Sequence, residues 1–228
     1  MAVVATGFFD GVHLGHREVI KTLVSSARKK GEEALVVTFD AHPRTVLQQD
    51  AGKLRLLTTP QERERLLLSL GVDRVETIPF SKQFASMDAE SYIRNVLMDK
   101  FNATSIILGY DNRLGSDMLG VKEIGHLCAG LGLKMEEVAP YVMPDGTTVS
   151  STRIRNSLAG GMVDYANDML GYRYMLTGVV VSGKQIGRTI GFPTANTLPS
   201  APLKLVPERG VYLTEVDVLG GHFYGMTN

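Results

Sequence analysis

The chain has 228 residues, 44% of them hydrophobic, which is enough apolar material for a well-packed core. Lysine plus arginine and aspartate plus glutamate both number 24, so no global charge recommends nucleic acid or an anionic membrane as a partner. The single cysteine, Cys128, excludes an intrachain disulfide framework and a multi-cysteine zinc site, and fits a reducing, cytoplasmic setting.

The first run, "AVVATG" from Ala2, is predicted as a buried strand ended by Gly7. It lacks the basic stretch of a signal peptide, and no segment has the length and apolarity expected of a membrane span. From His16 a helical stripe runs through Val19, Ile20, Leu23, Val24 and Ala27, and stops at Arg28-Lys29-Lys30-Gly31. "EALVVTFD" is the next strand. In "TTPQERERLLLSLG" Thr59 is the expected helix N-cap, Pro60 the first helical residue and Gly71 the stop. "DRVETIPF" is predicted as a strand and "DAESYIRNVLMDKF" as a helix capped by Asp88. "ATSIILGYD" follows as a strand, "VKEIGHLCAGLG" as a helix with His126 and Cys128 in packing or surface positions, and "LKMEEVAP" as a strand. This alternation predicts an α/β, Rossmann-like domain with a parallel sheet and helices on both faces. Ligands of such sheets bind beyond the carboxyl ends of the strands, where Gly7 to His16, Asp40 to Arg44 and Gly109 to Gly115 fall. Beyond "YANDMLGYRY" glycines punctuate β-branched runs, as expected for antiparallel sheet or barrel. The boundary is placed between residues 171 and 172, giving units 1–171 and 172–228.

"ATGFFDGVHLGH" sets two histidines, His13 and His16, on a glycine-containing turn between a strand and a helix. A helix start offers unpaired N–H groups and the positive end of its dipole to an anion. Gly11 and Gly15 permit close approach, and two imidazoles can donate to phosphate oxygens from one side. The plainer alternative is one histidine capping the helix and one solvated. The spacing is not G-x-G-x-x-G, so a dinucleotide fingerprint is not supported. Zinc needs a third ligand, for which only His42 is near in sequence.

"GFFDGVHLGH", "TFDAHP", "LGYD" and "SSTRIR", in this order, resemble the adenylyltransferase module of the bacterial bifunctional riboflavin kinase/FMN adenylyltransferases, or FAD synthetases. "GKQIGRTIGFPTANT", Gly183 to Thr197, followed by "GVY" at Gly210, resembles their flavokinase module. The resemblance implies a nucleotidyltransferase domain that moves AMP from ATP to FMN, then a β-barrel domain that phosphorylates riboflavin. His13, His16 and Arg155 would act on the transferring phosphate, with magnesium on the triphosphate. Gly7, Phe8, Gly15, Ser150, Ser151 and Thr152 would hold the nucleotide, and Asp40, His42, Asp111 and Arg113 the flavin. Ser150 to Thr152 taken alone also read as a helix cap, and Asp10 as a brace for the turn.

Asn112 and Leu114 depart from the family pattern, which has aromatic residues near these places, and this leaves flavin packing at that wall open. In the second module Gly183, Lys184, Gly187, Arg188, Thr194 and Asn196 would form the phosphate loop, with Thr194 and Asn196 positioning the metal. "PTAN" in isolation reads first as a turn. The family's further strands and its glutamate base are not found before Asn228, so the barrel is expected to be incomplete and riboflavin phosphorylation weak in this chain alone. The implied small molecules are ATP, Mg2+, FMN, FAD and riboflavin, with no nucleic acid and no membrane partner. Two alternatives stay open: a nucleotidyltransferase for another phosphate acceptor, and a non-catalytic flavin or nucleotide sensor.

Overall fold

A computed structural model describes residues 1–47, 54–183, 191 and 194–228. Five strands form a parallel sheet: β1 (Ala2–Thr6), β2 (Glu33–Phe39), β3 (Arg74–Ile78), β4 (Ala103–Gly109) and β5 (Lys134–Val138), in the spatial order β3-β2-β1-β4-β5. Central β1 is buried along its whole length, as its unbroken apolar run requires of a strand covered on both faces. The chain runs from β1 out to β2 and β3, then crosses back to place β4 on the other side of β1. The carboxyl ends of β1 and β4 therefore flank the point where strand order reverses, the place where open α/β sheets hold ligands.

Helix α1 (Leu14–Lys30) presses Ile20, Leu23 and Ala27 onto one face of the sheet, against Val3, Ala5, Ala34 and Val36. Gly31 closes it in the left-handed conformation, its N–H donating to Ala27 and Arg28 carbonyls. A five-residue helix, α2 (Pro43–Leu47), follows β2. Helix α3 (Pro60–Ser69) starts on a capping box in which Thr59 accepts from the Glu62 N–H and Glu62 accepts from the Thr59 N–H. β3 stops at Ile78, two residues short of the expected end. Pro79 cannot donate to the ladder, and Ser81 caps the short helix α4 (Lys82–Ala85).

The segment expected as one α-helix from Asp88 is helical in two forms. Asp88 caps α5 (Ala89–Ser91), which runs on into a wider π-helix, Tyr92–Lys100. Ala89, Ile93, Leu97 and Phe101 are buried at four-residue intervals. On a 3.6-residue helix that spacing drifts by about 40° per step, and the wider turn brings the four back toward one line against the sheet's other face. Helix α6 (Val121–Gly130) covers the same face with Ile124 and Cys128.

Helices α7 (Ser151–Ala159) and α8 (Val163–Leu170) close a third buried cluster with Leu57, Val149 and Leu205. After Gly171 the described chain forms two antiparallel hairpins, β6 (Gly178–Val181) with β7 (Asn196–Pro199) and β8 (Tyr212–Val218) with β9 (Gly221–Thr227). The hairpins do not join into one sheet among the described residues.

Candidate active site

The turn between β1 and α1 carries the site. Phe9 and Val12 take positive φ angles of 53° and 39°, conformations that cost of order 1–3 kcal/mol each and concentrate where function needs them. Gly11, at φ 82°, leaves no room for a β-carbon, which would meet Leu57 at 2.8 Å. Its N–H donates to Thr58 Oγ1 at 3.0 Å. Asp10, almost fully buried, holds the turn from outside: its carboxylate accepts from Leu57 N–H (3.0 Å), Thr58 N–H (3.0 Å) and Thr58 Oγ1 (3.2 Å).

The glycine between the histidines has a steric reason. A β-carbon on Gly15 would lie 3.2 Å from the His13 ring, which stacks on His16 with centroids 3.6 Å apart and planes at 17°. His13 Nδ1 accepts the His16 N–H at 3.3 Å and so caps α1. The capping and the phosphate readings of the motif are therefore compatible: with Nδ1 accepting, the His13 proton resides on Nε2. Burial drives His13 down to about 4, partly opposed by Asp10, and drives His16 well below its usual value, with the His13 and Arg155 charges adding to the fall. At neutral pH both rings are uncharged. His16 Nδ1 is buried and has no partner among the described residues.

A cavity of about 810 Å³ opens above these rings at the strand ends. Gly7, Phe8, Gly15, His13, His16, His42, Asp111, Arg113 and Ser150 to Thr152 all line it. Ser150 caps α7 by accepting from the Arg153 N–H, so the free N–H groups of that helix start at the cavity rim. Ser151 Oγ donates to the Asp10 carbonyl at 3.0 Å, linking this rim to the histidine turn. His42 stands edge-on to Phe8 at 4.6 Å, accepts the Arg44 N–H, and is lowered to about 4, chiefly by burial.

Two expected site residues lie elsewhere. Asp40 is absent from the cavity wall: its Oδ1 accepts the Phe80 N–H at 2.8 Å and fixes the turn after β3. Arg155 is also off the wall. Its Nη2 pairs with Asp10 Oδ2 at 2.6 Å and its Nε donates to the Arg55 carbonyl at 2.8 Å, so the fork expected to face phosphate is engaged by the protein. Asn112 belongs to the fold as well as the wall. Its Oδ1 accepts the Gly109 N–H and its Nδ2 donates to the Thr6 carbonyl, clamping the ends of β4 and β1 together. Leu114 is buried and contributes to the cavity and to the adjoining core. In the second unit Gly183, Thr194 and Asn196 are exposed, with the Asn196 side chain close over Gly183. Lys184, Gly187 and Arg188 lie outside the described residues.

Several site residues carry no polar motif. Phe39, Phe80, Phe84 and Tyr92 form an aromatic wall of edge-to-face and tilted contacts with centroids 5.2 to 5.7 Å apart. The signal for Phe80 and Phe84 is their i,i+4 spacing around the Ser81 cap. Behind the lining lies Arg63, in the charged run "ERER", which is 1% exposed. It donates to the Phe39 carbonyl at 2.6 Å and lies 4.3 Å from the Phe8 ring centroid. Its Nε and Nη1 have no partner among the described residues, and burial lowers it to about 10.

The profile of the FAD synthetase family matches residues 1–153, and that of riboflavin kinase residues 170–228. Curated proteins named bifunctional riboflavin kinase/FMN adenylyltransferase are similar over nearly the whole chain. The Listeria monocytogenes protein is 34% identical over 99% of this chain and 71% of its own length, and the Escherichia coli K12 protein 34% over 96% and 69%. A solved structure titled macrolide-efflux protein, from Streptococcus pneumoniae, matches with a TM-score of 0.89 and 32% identity, over 99% of this chain and 73% of that one.

Proposed function

The chain belongs to the family of bifunctional riboflavin kinase/FMN adenylyltransferases, and we infer that its cavity transfers AMP from ATP to the phosphate of FMN, giving FAD and pyrophosphate. The observation that carries this reading is the pair of stacked histidines that line one cavity together with the start of α7.

In this reaction an FMN phosphate oxygen attacks the α-phosphorus in line, a new P–O bond forms, and the bond to the pyrophosphate oxygen breaks. The nucleophile is already anionic at neutral pH, so no general base is required. What the site must supply is positioning and donors aimed at developing negative charge. His13 offers its Nε2–H, since Nδ1 is occupied by the His16 N–H. From that nitrogen it can hydrogen-bond a phosphate oxygen as negative charge develops. Ser150 to Thr152 present backbone N–H groups for the triphosphate. Asp10 and Arg155 act one step back, holding the turn. The aromatic wall from Phe39 to Tyr92 supplies a stacking surface for the isoalloxazine ring, with His42, Asp111 and Arg113 at its polar margin.

Magnesium is the metal the reaction implies. Among the described residues no three histidine, cysteine, aspartate or glutamate side chains group to hold an ion. Magnesium enters sites of this kind on substrate phosphates, so the residues that would hold it are those that would hold the triphosphate, His13 and Ser150 to Thr152. In the second unit Thr194 and Asn196 offer neutral oxygens of the hard type magnesium takes, for a nucleotide-borne ion during riboflavin phosphorylation. We place the boundary between the two units at residues 171 and 172, and assign the protein to the cytoplasm.

The test is substrate choice. With ATP and magnesium, the purified chain is offered FMN, nicotinate mononucleotide or phosphopantetheine. Chromatography should show FAD from the first and no dinucleotide from the others. Transfer to another acceptor would replace this reading with the wider nucleotidyltransferase one, and binding without turnover would make the chain a sensor.

A further inference from the structure

Lys204 lies in the part of the chain matched by the riboflavin kinase profile, yet its side chain is 0% exposed within the first unit. Its Nζ donates to Glu62 Oε2 at 2.7 Å and to the Leu57 carbonyl at 2.5 Å, and lies 4.4 Å from the Tyr174 ring centroid. The backbone on either side is fastened too: the Leu56 N–H donates to the Leu203 carbonyl, and the Leu205 N–H to the Leu56 carbonyl. Tyr174 Oη donates to the Leu205 carbonyl. Glu62 uses its other oxygen for the Thr177 N–H and hydroxyl, again from the matched second region. Burial alone would push the Glu62 carboxyl up, but the Lys204 charge and these hydrogen bonds outweigh it and keep it ionised.

This ion pair is an inefficient device for stability alone, since two charges lose their water for one another. Its geometry fixes position. Leu57 is gripped at both of its polar backbone atoms, the carbonyl by Lys204 and the N–H by Asp10. The next residue, Thr58, donates its N–H to Asp10 and accepts the Gly11 N–H on its hydroxyl. A single backbone segment therefore stands between the Lys204 ammonium and the strained turn that carries His13 and His16.

We propose that Lys204 is a positioning residue for adenylyl transfer: the second unit, docked through Lys204 and Glu62, sets the Leu57–Thr58 segment that holds Asp10, and with it the histidine turn. The proposal rests on the adenylyltransferase reading of the cavity.

The test uses the full chain with the paired substitution Lys204→Met and Glu62→Gln, which removes both charges together and leaves a glutamine able to complete the capping box. FAD formation is measured well below the unfolding midpoint of each protein and corrected for the folded fraction. The expected result is a kcat lower by about tenfold, the scale of a sub-ångström misplacement in a positioned reaction, with KM for ATP and FMN little changed. Amide hydrogen exchange should quicken at Gly11, Leu57 and Thr58 and stay slow in β4. Unchanged kcat after correction, or exchange that quickens equally throughout the chain, would overturn the proposal. Absence of FAD formation by the unaltered chain would instead remove the reading beneath it. The exchange comparison separates the two failures, because it reports the linkage whatever the substrate.

Discussion

Arg155 decides between a phosphate ligand and a structural partner, and its ion pair with Asp10 can be weighed directly. Asp10 is 3% exposed and the Arg155 side chain 17%, with Nη2 and Oδ2 2.6 Å apart. Removing one member of a buried pair strands the other, at a cost of about 3–5 kcal/mol. Arg155→Met leaves the Asp10 carboxylate its Leu57 and Thr58 donors, so the lower end, about 3 kcal/mol, is expected. Asp10→Asn removes the charge and turns an amide toward the guanidinium, with a similar loss. Once either is gone the other has less to lose, so the double variant should be more stable than the sum predicts by about 1.5–3 kcal/mol. Urea unfolding of the four proteins at pH 7 supplies the cycle. Losses that simply add to within about 0.5 kcal/mol, or an Arg155→Met variant as stable as the parent, would refute the pairing argument and return Arg155 to the phosphate.

The depressed histidines make stability fall with acid. His13 has a folded value of about 4 against 6.5 unfolded, so its contribution is full above pH 6.5 and is lost as pH falls toward 4. The loss is roughly 3 kcal/mol at most, and His13→Gln should flatten the slope of unfolding free energy in that window; an unaltered slope would mean His13 is not buried uncharged. Asn112→Ala breaks the clamp between β1 and β4 and leaves the Gly109 N–H and the Thr6 carbonyl short of a partner, a loss of about 1–3 kcal/mol in urea unfolding. A silent substitution would show that Asn112 serves the ligand only. Arg63→Met removes a buried cation with two unpartnered donors, and the unfolding midpoint should hold or rise. A loss above about 2 kcal/mol would mean that its bond to Phe39 outweighs the desolvation.

Local chemistry was readable in the sequence and distant pairing was not. The Thr59 cap with Pro60 behind it, the Arg28 to Gly31 stop and the apolar run of β1 announce themselves because their causes lie within a few residues. The same holds for His13 and His16, whose turn, glycine and helix start are contiguous. Arg155 shows its charge in sequence, but its partner is 145 residues away, and Lys204 and Glu62 are 142 apart. Arg63 belongs to a run that reads as a solvated helix face, and only the docking of α3 beside Phe8 buries it. Phe80 read as the end of a strand because its role comes from the cavity formed by β1, β2 and β4 together. The segment from Ala89 to Phe101 reads as an ordinary α-helix, and its wider turn comes from the sheet it packs on.

Adenylyl transfer is read most directly by following label from α-32P-ATP into FAD under single-turnover conditions, with FMN and magnesium supplied. The parent chain should transfer the label. His13→Ala and His16→Ala should each slow that step by about 10²-fold or more, while ATP affinity changes much less. Label transfer at the parent rate in both variants would mean that the paired imidazoles have no part in the chemistry.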